Sequence, residues 1–341
     1  MRLTYVLAGG SALGLLALSS PVQAGPTMDA IKEKGFIQCG VSTSLPGFSN
    51  PDDQGNWTGI DVDVCRAVAA AVFGDANAVK FTPLTSKERF TALQSGEVDV
   101  LSRNTTWTLS RDTALGLDFT GITYYDGQGF MVPKELGVES ALELDGAAVC
   151  VQPGTTTELN LADYFRKHDM SFSPVVYEDD DQIRVAFEQG RCDVFTTDKS
   201  GLYANRTAMP NPDDFIVLPE TISKEPLGPV VRHGDHEWAD VVRWTLYAMI
   251  EAEELDVNSG NVADLAKTAT DPNVRRLVGL EDTMGQNLGL PADWAVQIIS
   301  QVGNYGEAFD RNLGPDTPLK MERGQNALWT EGGLQYAMPV R

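Results

Sequence analysis

Residues able to do bond-breaking chemistry are few in this chain. The three histidines, His168, His233 and His236, are scattered, and His233-Gly234-Asp235-His236 lacks a third ligand, which reads as a solvated turn rather than a metal centre. The acidic run Glu178-Asp179-Asp180-Asp181 leads into a helix without calcium-loop spacing, so it reads as solvated and capping. No phosphate loop, no Gly-x-Ser-x-Gly elbow and no reactive Cys–His pair stands in the sequence. No catalytic group, cofactor or metal is therefore expected. What remains is the chemistry of holding a polar ligand. Arg103 and Asn104 close one segment, Thr197 and Asp198 close another, and the two segments spell nearly the same thing.

Residues 92–104 read Ala-Leu-Gln-Ser-Gly-Glu-Val-Asp-Val-Leu-Ser-Arg-Asn, and residues 186–198 read Ala-Phe-Glu-Gln-Gly-Arg-Cys-Asp-Val-Phe-Thr-Thr-Asp. Each is a helix end, a stop glycine (Gly96, Gly190), a short apolar strand and a polar loop. Two such units predict two similar α/β lobes rather than one large sheet. In open α/β sheets ligands gather beyond the carboxyl ends of the strands, so the two loops are expected to face each other across a cleft.

The surrounding pattern supplies the elements that position them. Phe36–Val41 reads as a buried strand. A helix follows from Asp61 to Gly74, with Val64, Val68, Ala71 and Val72 on its core face. Strand Val79–Leu84 leads into the capping box Thr85-Ser86-Lys87-Glu88 and the helix ending at Gly96. The repeated strand, a loop over Ser102–Ser110 and the run Leu117–Thr123 come next. The second lobe runs through strand Ala147–Gln152, helix Leu159–Lys167, strand Phe172–Val176, helix Asp181–Gln189 and the repeat. Gly/Pro-rich crossings at Asp126–Pro133 and Pro219–Pro229 bracket it, and the amphipathic helix Trp238–Glu253 is expected to pack back on the first lobe. The expected divisions are 1–24 export signal, 25–130 first lobe, 131–224 second lobe, and 225–341 first-lobe return with a C-terminal extension.

The start of the chain carries the marks of export. Arg2 precedes the apolar run Leu3–Leu18, and Val22-Gln23-Ala24 forms a small-residue cleavage site. No cysteine near the cut points to a lipid anchor, and no later stretch approaches ~18 uninterrupted apolar residues, so a soluble exported protein is expected. The net charge of −22 becomes one more negative when Arg2 is lost, which disfavours nucleic acid and anionic membranes as partners. An anionic ligand would need a local cluster of Arg or Lys. In an oxidising compartment Cys39, Cys65, Cys150 and Cys192 read as two disulfides, and lobe symmetry selects Cys39–Cys65 and Cys150–Cys192.

Gly59-Ile60-Asp61-Val62-Asp63-Val64-Cys65-Arg66-Ala67-Val68-Ala69 matches position by position the signature of solute-binding proteins that serve polar-amino-acid ABC transporters. The chain resembles that family from about Ile31 to Glu254. Gly154-Thr155-Thr156, Arg111 followed by Leu117-Asp118-Phe119-Thr120, and Asp193-Val194 to Asp198 fall in the family's order. The four cysteines, Ser102-Arg103-Asn104-Thr105-Thr106-Trp107 and the long C-terminal extension resemble its general L-amino-acid branch, which takes up glutamate, glutamine, aspartate and asparagine among others.

The resemblance implies a two-lobed periplasmic-binding-protein fold of type II in the periplasm, closing on a free L-amino acid and delivering it to an inner-membrane permease with cytoplasmic ATPase subunits. A monomer is expected. A zwitterion needs a planar cation for its carboxylate and an anion for its ammonium. Arg111 falls at the family's carboxylate position and Asp198 at its ammonium position. Asp198 has a competing reading as the N-cap of a helix over Ser200–Asn205. Thr155 and Thr156 fall where hydroxyls and helix-start amides meet the carboxylate, and Thr106 and the Asn104 carbonyl where the ammonium is received. Phe48 aligns with a pocket-walling aromatic, with plain core as the alternative. Ser86 and Leu45 replace aromatics common in relatives, which implies a wider or more polar side-chain pocket. Arg103 is a departure suited to a side-chain carboxylate or amide, set against a structural ion pair within its lobe. The rival is an enzyme on the same scaffold, such as a periplasmic cyclohexadienyl dehydratase, for which no general acid is evident. Thiol titration of the denatured, unreduced protein is expected to find no free groups; four would reject the cysteine pairing.

Overall fold

The segment Ile37-Gln38-Cys39-Gly40-Val41 at the start of the first lobe forms a strand buried along nearly its whole length, and the strands around it assemble by pairing register. The computed structural model describes residues 25–281 and 284–341, so the export signal expected at 1–24 lies outside the described residues. In the first sheet the order is Val79–Pro83, Ile37–Val41, Val100–Leu101, Val230–Arg232, Leu117–Phe119. The second sheet is ordered Ser173–Val176, Ala148–Val151, Val194–Asp198, Gln128–Pro133, Phe215–Val217. In each sheet the first three strands are parallel and the fourth runs antiparallel to its neighbours. In each, that fourth strand is the one that has just crossed from the other lobe. The two lobes are therefore copies in topology.

The repeated motif does the same work in both. Gly96 and Gly190 end their helices in the left-handed conformation, φ 81° and 67°. Asp99 then accepts from the Gln38 N–H at 2.7 Å, and Asp193 from the Ala148 N–H at 2.8 Å, tying the start of each third strand to the start of the second strand beside it.

The chain crosses between lobes through Tyr124–Asp126 and Glu225–Leu227, which pair antiparallel as a two-stranded ribbon. The crossings pass so closely that a Cβ on Gly228 would lie 1.9 Å from the Gly121 carbonyl oxygen, so only glycine fits there. The strand Gln128–Pro133 belongs to the second sheet from its first residue, so the boundary expected at 130 falls inside an element.

Helix Ile60–Phe73 departs from expectation. The sequence predicts one core face, yet the helix is buried nearly all round, with Val62, Cys65, Ala67 and Ala69–Ala71 as enclosed as Val64 and Val68. Helix Trp294–Gln301 of the C-terminal extension covers the outer side, and helix His236–Glu254 packs alongside. Four small alanines let those helices approach closely. The extension thus shares one continuous core with the first lobe, while the second lobe has two smaller clusters of its own.

Both disulfides join the expected partners, Cys39–Cys65 with Cα atoms 6.3 Å apart and Cys150–Cys192 with 5.7 Å. The second spans a sequence separation of 42 residues in the less extensively packed lobe. Cys150→Ala with Cys192→Ala is expected to cost about 4 kcal/mol in the chain-entropy picture. Urea denaturation checks this as a lower midpoint, and an unmoved midpoint would show that the bridge contributes nothing.

Candidate functional site

The first-lobe wall of the cleft is built by one helix start and one loop. Thr85 and Glu88 form the reciprocal capping pair, each backbone N–H bonding the other's side chain at 3.3 Å. This sets helix Arg89–Ser95 going with Arg89 in its first turn, a place where the helix dipole disfavours a cation. Arg89 is only 3% exposed, and its guanidinium lies 4.8 Å from the Phe90 ring centre. Arg111 packs on the same ring at 5.1 Å. Its Nη1 donates to the Thr106 carbonyl at 2.9 Å, and Thr108 caps the helix that carries it. Arg103 is fixed by donation from Nε to the Leu84 carbonyl at 2.9 Å and from Nη1 to Asn104 Oδ1 at 3.3 Å.

The loop bearing Arg103 is shaped by Asp61. Its carboxylate accepts from the Asn104 N–H at 2.8 Å and from the Ser102 hydroxyl at 3.1 Å, holding Asn104 at φ 35°, which asparagine tolerates. Burial outweighs those bonds and raises the Asp61 pKa to about 6.

On the second-lobe wall, Thr155 caps helix Thr156–Lys167 by accepting from the Glu158 N–H at 3.1 Å, and it donates to the Gln152 carbonyl at 2.8 Å. Thr156 donates to Glu225 Oε2 at 2.8 Å, and Asn160 and Ser223 hold Oε1 of that carboxylate at 2.7 and 2.6 Å. Asp198 ends its strand immediately before helix Lys199–Thr207 but makes no side-chain cap, and its Oδ1 is buried without a hydrogen-bond partner among the described residues. Its neighbour Asp126 accepts from the Ser200 N–H at 3.3 Å and from the Ser200 hydroxyl.

The walls meet. The Ser86 hydroxyl donates to Gln152 Oε1 at 2.8 Å, the Thr106 and Thr156 hydroxyls are 3.3 Å apart, and Lys87 lies 3.7 Å from Glu178 at the rim. Burial is the largest influence on Arg89, Arg111 and Asp198. It lowers Arg89, with Arg111 and Arg103 lowering it further and Asp198 and Glu225 opposing. It brings Arg111 down to about 10, against the pull of Glu225 and Asp198. It raises Asp198, helped by Asp126 and Glu225 and resisted by Arg89 and Arg111. Neither Arg89 nor Arg111 forms a direct ion pair with Asp198 among the described residues. A basic wall thus faces an acidic one.

Of the residues singled out in the sequence, Ser86, Arg103, Asn104, Thr106, Arg111, Thr156 and Asp198 line this junction. Phe48 is buried in the first-lobe core, edge-on to Tyr124 at 5.4 Å. The Thr155 hydroxyl is committed to its cap. The capping reading of Asp198 fails, since its carboxylate leaves the helix start alone. The acidic run is not uniformly solvated either. Asp179 caps a helix, but Asp180 is buried with its carboxyl raised by burial and opposed chiefly by Arg103 from the other lobe. Arg89, Asp126 and Glu225 were missed. A cation in a helix's first turn was the available signal for Arg89; Asp126 and Glu225 gave none beyond lying in the crossings.

The model of bacterial extracellular solute-binding proteins, family 3, matches residues 37–259. The general L-amino acid-binding periplasmic protein AapJ of Rhizobium johnstonii is 57% identical, over 98% of this chain and 99% of its own. The glutamate/glutamine/aspartate/asparagine-binding protein BztA of Rhodobacter capsulatus is 53% identical, over 96% and 97%. A periplasmic binding protein of an ABC transporter from Brucella ovis, solved with glutathione bound, superposes with a TM-score of 0.90 at 60% identity, over 92% of this chain and 99% of that one.

The raised pKa of Asp61 has a defined sign. Its folded value near 6 exceeds the ordinary 3.8, so the folded state holds the extra proton between those limits and loses stability as pH rises through about 6. Asp61→Asn removes that titration. Its melting temperature relative to wild type is expected to climb between pH 4 and pH 7, and a pH-independent difference would contradict the buried, titrating carboxyl.

Proposed function

Because the chain belongs to the bacterial extracellular solute-binding proteins of family 3, we propose that its cleft holds a free L-amino acid by both ends of the zwitterion, with a preference for acidic and amide side chains. The observation that carries the reading is the burial of Arg111 and Asp198 on opposed lobes, close enough to bias each other's ionisation without pairing. Arg111 offers a planar fork for the α-carboxylate, supported by the backbone amides at the Thr156 helix start. Asp198 receives the ammonium, with Asp126, Glu225 and Thr106 around it. Arg89 and Arg103 place two further cations on the basic wall, suited to a side-chain carboxylate or amide oxygen, and Ser86 and Gln152 offer uncharged partners there.

In this reading the protein works in the periplasm as a monomer, passes its solute to a membrane permease and leaves it chemically unchanged. The names of BztA and AapJ support amino acids of this kind. Glutathione stands as a second ligand, supported by the complex of the Brucella relative, because its γ-glutamyl end presents the same ammonium and carboxylate.

Calorimetric titration of the purified protein with the twenty L-amino acids and glutathione tests the reading. L-Glutamate, L-glutamine, L-aspartate or L-asparagine is expected among the ligands. Arg111→Ala is expected to weaken them by two to three orders of magnitude, since removing one partner of a buried charged contact costs about 3–5 kcal/mol. Unchanged affinity in that variant would remove Arg111 from the site. Turnover of prephenate or arogenate by the wild-type protein would favour the enzyme instead.

A further inference from the structure

We infer that the C-terminal extension is a splint on the hinge, with Asn326 and Tyr305 as positioning residues for lobe closure. The family match ends at residue 259, so the segment beyond it is additional to the binding fold. That segment covers the first lobe, and it also grips the crossing strand. Tyr124–Asp126 pairs on one edge with Glu225–Leu227, and Tyr125 stands opposite Pro226 as a non-hydrogen-bonded pair. The Pro226 carbonyl accepts from the Trp107 N–H on the far side, and the backbone polar groups of Tyr125 face the outer edge of the ribbon. On that outer edge the N–H and C=O of Tyr125 are taken by one side chain. Asn326 Oδ1 accepts from the N–H at 2.6 Å, and Nδ2 donates to the C=O at 3.2 Å. The amide stands where a neighbouring strand would.

The residues just before are held too. The Tyr305 hydroxyl donates to the Thr123 carbonyl at 2.7 Å, and Gln335 Nε2 donates to that hydroxyl at 3.0 Å and to the Ile122 carbonyl at 3.3 Å. The Tyr124 ring lies parallel to Phe309 at 6.3 Å. Asn326, Tyr305 and Gln335 are all buried. Their frame is anchored to helix His236–Glu254 through Arg323, 2.9 Å from Glu253 and lying over the rings of Tyr305 and Phe309.

The consequence follows from what Tyr125 leads into. The next residue, Asp126, is bonded to Ser200 beside Asp198 and lies opposite Glu225 in the ribbon. Rotation of the strand at Tyr125 would move the acidic wall relative to the arginines. The splint removes that freedom at the first-lobe end and confines bending to the segment beyond Asp126. It narrows the range of open forms and keeps the two walls in register as they close.

The inference rests on the amino-acid-binding reading for its affinity arm only. In the full chain, Asn326→Ala and Tyr305→Phe are each expected to weaken L-glutamate and L-glutamine about fivefold, the scale of one net hydrogen bond. Asn326→Asp, which keeps the acceptor for the Tyr125 N–H, should fall between. Ligand-free variants should also show faster amide exchange over Tyr124–Gly127 and a larger small-angle-scattering radius than wild type. Asn273→Ala, which loses only a bond to Arg276 elsewhere in the extension, should leave affinity and scattering unchanged. A lowered melting temperature in Asn326→Ala and Tyr305→Phe, with affinity, exchange and scattering as in wild type, would overturn the splint and leave the extension as packing alone. Should wild type bind neither amino acid, the ligand reading falls, while exchange and scattering still decide the splint.

Discussion

Everything in the cleft follows from burying like charges together on each wall. Arg89, Arg103 and Arg111 crowd the first lobe, and Asp126, Asp198 and Glu225 crowd the second lobe and the ribbon. Two like charges about 6 Å apart repel by about 3 kcal/mol at an effective dielectric of 20, before any desolvation. Neither wall is therefore at ease alone. A zwitterion offers each wall the charge it lacks, so its affinity is greatest when the lobes come together. A ligand shifts a conformational equilibrium only by such a difference between states.

Holding such charges in place takes more structure than the charges themselves. Phe90 serves as a platform for two guanidinium groups, Asp61 shapes the loop of Arg103 from beneath, and three side chains fix Glu225. These supports carry no information about the ligand. They keep the charged groups from collapsing into internal ion pairs, which would satisfy both walls and leave nothing for a solute. The carboxylate of Asp198 illustrates the point: it stands at a helix start and yet leaves the cap unmade.

The binding fold and the extension divide the work. The two sheets share a strand order and exchange their fourth strands, which makes opening and closing a movement of preformed halves about a narrow ribbon. The C-terminal helices enlarge the core of one half only. The lobe that gives up its outer helix face to them becomes the heavier body, and the second lobe the lighter one.

Much of this was legible in the order of residues. The paired helix–strand units and the stop glycines rest on local periodicity or on motifs whose spacing is set within one element, and the cysteine partners on the symmetry of those units. Tertiary structure decided what depends on groups distant in the chain. Asp180 is buried, while Glu178 and Asp181 of the same run stay exposed, because burial is settled by what packs from elsewhere and not by the run itself. Arg89 and Glu225 became partners of one site only because the lobes meet. The extension's hold on Tyr125 rests on the outer backbone edge of the crossing ribbon and an amide two hundred residues away in sequence, a relation that no local pattern encodes.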